Sequence, residues 1–381
     1  MSLKEVYITK TANFLPNDPI SNDEMEDYLG LINEKVSKSK KIVLRSNGIQ
    51  RRFYAITKDG VGVYSNAQMA ALAIRGLFKN SEDLKKIDLL CCGTSSPDQM
   101  IPSHGVMVHG LIPEMNSIEV ISPSGVCCAG MHALKYAYMS VKNGEAETAV
   151  TSGSDRISRI LRAETFVDEV HKLAELEENP VIGFEKEFLR WMLSDGAGAF
   201  LVTDKPNSNS ISLRIDWLES ISYANKLEPC MYQACDKLED GSLKGYMEYS
   251  PEELIVQSIL SVKQDVKLLN KNIVDLGFDK LKLIFDKRGH TVDEIDYFLP
   301  HMSSEFFRSK IADKLTENGM TIPQEKWFTN LSSVGNVGAA SIYLMLDELF
   351  NSGRLVKGEK LLLVVPESAR FSYVFGMLTV C

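Results

Sequence analysis

Two adjacent cysteines at a strand-to-helix turn, a histidine at a strand end and an asparagine between glycines are the residues best placed for chemistry. The cysteines lie in Ile121-Ser122-Pro123-Ser124-Gly125-Val126-Cys127-Cys128-Ala129-Gly130-Met131-His132-Ala133-Leu134. A thiol at such a junction faces the positive end of the helix dipole, which favours the thiolate. The free N–H groups of the first turn can also receive a developing oxyanion. The helix is apolar nearly all round as far as Ala137, so it should be central and buried. Neighbours on a helix diverge by about 100°, so only one of the two thiols can serve a given site, and the other must be packing. Taken alone, the segment also fits a buried small-residue turn.

An acyl group on a thiol needs a second substrate turned into a carbanion, and that requires donors around a thioester oxygen as charge develops. His301, in Leu299-Pro300-His301-Met302-Ser303-Ser304, follows a strand directly, where α/β sheets build their sites. His104, His109, His132, His171 and His290 read as packing or solvated residues. Asn336 lies between Gly335 and Gly338, which free the backbone to aim a side chain into a cavity.

The elements that position these residues alternate. IEVIS (118–122), TAVTS (148–152), GAFLV (198–202), IDYFLP (295–300) and KLLLVV (360–365) read as strands. Helices are expected over 65–78, 129–141, 251–269, 304–317 and 339–351. This is an α/β pattern, and its order suggests two βαβαβ halves of similar plan. The first half (1–205) carries the cysteines and an insertion at 156–190. The second (206–381) carries His301 and Asn336 and an insertion at 221–290. Either insertion can cap a substrate channel or decorate the surface.

The 381 residues are 44% hydrophobic and 24% charged, ordinary for a globular protein. A net charge of −9 argues against nucleic acid, yet leaves room for a local basic patch that docks an acidic carrier. No apolar run approaches the roughly 20 residues that span a bilayer, so no membrane insertion is expected. The start, MSLKEVYITK, lacks a secretory layout, and a cytoplasmic location is expected. Seven cysteines without CxxC spacing suggest reduced thiols and no metal site.

Cys-Ala-Gly after a small-residue turn resembles the nucleophile loop of 3-oxoacyl-[acyl-carrier-protein] synthase III, a condensing enzyme of the thiolase superfamily. In that motif the Cys before Ala-Gly is the nucleophile, which implies Cys128. Pro300-His301 and Gly335-Asn336, followed by Ala339-Ala340-Ser341, resemble the family's second and third catalytic segments, in the same order. Gly48-Ile49-Gln50-Arg51-Arg52, Gly153-Ser154-Asp155 and Asp195-Gly196-Ala197-Gly198-Ala199 extend the likeness over nearly the whole chain. The resemblance implies a thiolase-like fold, two pseudo-symmetric halves in a five-layered αβαβα arrangement. It also implies a homodimeric acyltransferase that condenses an acyl-CoA primer with a malonyl- or 3-oxoacyl-carrier-protein thioester through an acyl-cysteine. CoA and phosphopantetheine thioesters are then substrates, with no metal or redox cofactor.

The family's Gly-rich terminal loop is replaced here by Pro366-Glu367-Ser368-Ala369-Arg370-Phe371-Ser372. Counting back from Gly376 puts Ser372 beside Cys128 as an oxyanion-hole donor. Arg45, Arg52, Arg308 and Lys310 are the candidates for CoA, pantetheine or carrier docking. The bulky loop and Arg190-Trp191-Met192-Leu193-Ser194-Asp195 are similar to ketosynthase–cyclases that make 1,3-cyclohexanedione precursors of dialkylresorcinols. A degradative thiolase would want a second Cys in a Cys-x-Gly setting, which Cys381 is not, and a hydroxymethylglutaryl-type synthase would want a better-placed acid than Glu119. A non-catalytic acyl- or carrier-binding subunit would lack the nucleophile.

Overall fold

The first strand, β1 (Tyr7–Phe14), leads through helix α1 (Asn66–Gly76) to β2 (Leu89–Gly93). Helix α2 (His104–Gly110), β3 (Glu119–Ile121), α3 (Ala129–Asn143), β4 (Thr148–Asp155) and β5 (Gly196–Thr203) complete a first half. The plan then repeats. β6 (Leu213–Ser222), α4 (Val266–Arg288), β7 (Tyr297–Pro300), α5 (Phe306–Glu317), α6 (Ser341–Asn351), β8 (Lys360–Glu367) and β9 (Ser372–Val380) follow in the same order. The place of β3 is taken in the second half by a single parallel bridge between Phe298 and Trp327. This computed structural model describes residues 3–34, 36–37, 40–165 and 188–381.

These nine strands join in one sheet in the order β7-β8-β9-β6-β1-β5-β4-β2-β3. Within each half the inner pairs run antiparallel and the outer ones parallel. The strands of the two halves pair at Tyr7 with Arg214 and Ile8 with Leu213. Alternate residues of each strand feed different cores, as the two-residue strand period requires. Leu90, Cys92 and Val150 pack with α1, whereas Leu89, Cys91 and Ala149 pack with α3 and α6. In the strands of the second half Leu361, Leu363 and Val365 face that same central layer, while Leu362, Val364 and Phe375 pack against α4 and α5. Three large cores thus fill the spaces between five layers, the central one lying on both faces of the middle layer formed by α3 and α6.

Local chemistry sets the helix ends. Ser65 caps α1, accepting from Gln68 N at 3.1 Å while Gln68 returns a bond to Ser65 N at 2.8 Å. The helix expected over 251–269 is two pieces instead. Pro251–Val256 ends early, and α4 starts anew after Asp265, whose carboxylate accepts from Leu268 N at 2.9 Å. Because α4 occupies the position of α1 in the repeat, the stretch 221–290 is not an insertion throughout. The added part runs from the end of β6 to Asp265 and includes a ribbon pairing Met231–Gln233 with Val262–Gln264. Much of the insertion expected at 156–190, with His171, lies outside the described residues.

Candidate active site

The turn before α3 and the turn before α6 carry the groups that matter, and a glycine lets them touch. A Cβ on Gly130 would sit 2.4 Å from the Ala339 carbonyl oxygen, so only glycine allows the two helix starts this close. Here lies the physical sense of Cys-Ala-Gly. Tyr343 of α6 seals the contact, donating to the Gly130 carbonyl at 2.8 Å.

A cavity of about 230 Å³ opens at this junction. Cys127, His301 and Asn336 all line it, together with Asp155, Pro366 and Ser368. The remaining wall is largely apolar: Leu269, Ile273, Val274 and Phe278 from α4, and Phe307 and Ile311 from α5. The spacing of those residues puts them on one helix face each. Met231, Gln233, Val262 and Gln264 show that the added ribbon forms part of the wall.

The two cysteines are placed differently, and not as the likeness to Cys-Ala-Gly implied. Cys128 does not line the cavity; it is fully buried, and its thiol donates to the Val365 carbonyl at 3.3 Å. Cys127 is the thiol on the cavity wall. The turn from Ser122 to Cys128 ends with Cys128 already helical in its backbone, which rotates that side chain toward β8 and leaves Cys127, itself buried, on the cavity wall. The backbone N–H of Cys128, expected to receive an oxyanion, is instead bonded to Glu367 Oε2 at 3.0 Å, and Val126 N reaches the same oxygen at 2.8 Å. Burial, with the charge of Glu367 next, raises the pKa of both thiols well above the ordinary range. The thiolate expected from the helix dipole is therefore not the resting state.

Ser372 is also displaced from its expected role. It begins β9, paired with Ser222 on one side and Glu367 on the other, so the hairpin presents Pro366 and Ser368 to the cavity instead.

His301 and Asn336 both line the cavity. The His301 backbone N–H donates to Val364 O at 2.8 Å, continuing the β7–β8 register past the strand end. Burial alone pulls its imidazole down to about 4, so the ring is neutral near pH 7 and keeps one N–H. Asn336 is fixed by its backbone, which bonds Met192 O at 3.1 Å and receives Ser194 N at 2.9 Å. Its side-chain oxygen accepts from Gly338 N at 3.1 Å. An N–H donor there identifies the oxygen, so the amide nitrogen remains to donate elsewhere. Asp155 supports the same turn: its Oδ2 accepts from Ala339 N at 2.7 Å, and its Oδ1 takes bonds from Thr94, Ser95 and Ser96.

The docking candidates divide. Arg52 is fully buried, donating to Asn22 at 2.7 Å and to the Trp191 carbonyl, and cannot meet a carrier. Arg308 is engaged by Glu305 at 2.5 Å and lies over Trp327. Arg45 is exposed, and Lys310 lies half-buried over the Phe306 ring. Sequence reasoning missed Glu367 altogether. An acidic residue closing the apolar run Leu361–Val365 was the available signal.

Residues 285–366 match a family model described as 3-oxoacyl-[acyl-carrier-protein] synthase III C terminal, a stretch that includes His301 and Asn336 but not the cysteine turn. The beta-ketoacyl-[acyl-carrier-protein] synthase III of Neisseria gonorrhoeae is 24% identical over 359 residues, 93% of each chain. The enzyme of that name from Clostridium novyi is 24% identical over 360 residues, 94% of each. Among solved structures, the tetronic acid condensing enzyme AbyA1 superposes with a TM-score of 0.75 at 19% identity, covering 98% of this chain and 99% of that one. OleA of Xanthomonas campestris, solved with bound lauric acid and lauroyl-CoA, gives 0.72 at 18% identity and 99% coverage of both.

Proposed function

We propose that this chain, 3-oxoacyl-[acyl-carrier-protein]-synthase-III-like over more than nine tenths of its length, is an acyltransferase of lipid biosynthesis that joins two thioesters by Claisen condensation. One observation carries the reading: Cys127, His301 and Asn336, far apart in the chain, line a single cavity whose outer wall is apolar. An apolar tunnel with a few convergent polar groups suits a fatty acyl chain with a reactive head.

In the first step the Cys127 sulfur bonds the acyl carbon, and CoA leaves as its thiol with the proton the cysteine gave up. Because the resting thiol is protonated, that proton needs an acceptor. The neutral imidazole of His301 is the one imidazole among the cavity's described lining residues. In the second step a malonyl thioester loses carbon dioxide, or a 3-oxoacyl thioester gives an α-proton to the ring nitrogen of His301 that carries no hydrogen, to be returned later to the departing thiolate, and an enolate forms. The imidazole N–H of His301 and the amide of Asn336 hydrogen-bond its oxygen. The α-carbon then attacks the acyl carbonyl, and the Cys127 thiolate departs. The carrier is drawn by basic residues such as exposed Arg45 and by Lys310, whose helix also supplies Phe307 and Ile311 to the cavity wall.

Peptide mass spectrometry after incubation with acyl-CoA tests the first step. Label on Cys127, lost in Cys127→Ala and kept in Cys128→Ala, is the expected result. Label on Cys128 instead would restore the Cys-Ala-Gly assignment, and label on neither would end the condensing-enzyme reading.

A further inference from the structure

Two buried carboxylates close equivalent strands in the two halves, and each reaches across to the opposite central helix. Asp155 ends β4 and holds Ala339 N at the start of α6; Glu367 ends β8 and holds Val126 N and Cys128 N at the start of α3. Asp155 thereby fixes the turn that carries Asn336. By the same geometry Glu367 fixes the turn that carries the cysteines. We propose that Glu367 is a positioning residue, whose grip on the Val126 and Cys128 backbone decides which of the two adjacent thiols faces the cavity.

The bonding supports this. Both donors go to one oxygen, Oε2, at 2.8 and 3.0 Å, so the two N–H groups converge and the intervening residue, Cys127, is held on the outside of the bend. The Cys128 thiol is directed inward to Val365 O, two residues before Glu367 on the same strand. A turn held at both flanking amides from one strand end cannot rotate to exchange its thiols. This rests on the reading of the turn as the acyl-accepting site. The charged and titratable groups facing it are Glu367 from β8, Asp155 from β4, His132 from α3 and His301 across the cavity. The Glu367 charge, after burial, also helps keep the Cys127 thiol protonated.

Iodoacetamide alkylation followed by peptide mass spectrometry gives the test, and it does not depend on any acyl substrate. In the unsubstituted protein Cys127 should react at least tenfold faster than Cys128. Glu367→Ala, with folding verified by circular dichroism, should bring the two rates within threefold. Glu367→Gln retains an acceptor oxygen without the charge. It should keep the preference for Cys127 while moving its alkylation profile to lower pH, and this variant serves if the alanine protein does not fold. Unchanged selectivity in Glu367→Ala, or a Glu367→Gln pH profile that superimposes on the original, would overturn the proposal. If selectivity behaves as expected while acyl-CoA labels neither cysteine, the function fails and the positioning role stands.

Discussion

The two halves share one strand plan and put different chemistry at equivalent places. After β2 the chain offers Thr94, Ser95 and Ser96, hydroxyls spent on Asp155; after the equivalent β7 it offers His301, which faces the cavity. At the start of α3 stands a thiol, and at the start of the equivalent α6 stands a carboxamide. A duplicated scaffold has thus been loaded unevenly. In the proposed reaction the first half supplies the thiol that takes the acyl group, and the second supplies the donors for the enolate; the apolar walls of α4 and α5 also come from the second half. Pseudo-symmetry guarantees that the two sets meet, because both central helices begin at the same junction.

This division can be broken by separating the two steps. His301→Ala and Asn336→Ala should each lower condensation by about 10²–10³-fold, as lost oxyanion-type donors do. Asn336→Ala should still accept acyl label on Cys127, which single-turnover labelling would show. Equal loss of both steps in that variant would mean that the halves do not divide the reaction. The two strand-end carboxylates come next. Asp155→Ala orphans several buried donors and should cost about 3–5 kcal/mol, whereas Glu367→Ala orphans two and should cost about 2–3 kcal/mol, measured by urea denaturation.

Acid provides a third comparison. His301 and His104 are both held near 4 by burial, below the ordinary value of 6.5. Between those values the unfolded chain binds protons that the folded chain refuses, so stability from these groups is present above 6.5 and falls as pH drops toward 4. Each contributes at most about 3 kcal/mol. Melting curves across this range should fall less steeply for His301→Gln, and an unchanged slope would mean that the imidazole is not held neutral. The smallest effect concerns the tunnel. Val274→Phe should narrow it and lower kcat/KM for long acyl-CoA by about tenfold while sparing short ones.

Local pattern was enough to identify most of the fold. Apolar runs such as Leu361–Val365 can only be strands buried on both faces, and a helix apolar all round, like the start of α3, can only be central. The helix at α4 was misplaced because its true start depends on Asp265, whose capping bond is invisible as pattern. His301 and Asn336 were legible because strand ends and paired glycines constrain where a side chain goes. The choice between Cys127 and Cys128 was not.

What the sequence determined by itself was the alternating α/β plan, its duplication and the residue types needed for acyl transfer, since periodicity and composition are properties of the chain. Only the tertiary structure decided which thiol faces the cavity, that Arg52 is buried, and that Glu367 reaches the helix start. Those outcomes depend on rotation about a turn and on contacts between residues some 240 positions apart, for which no local pattern carries information.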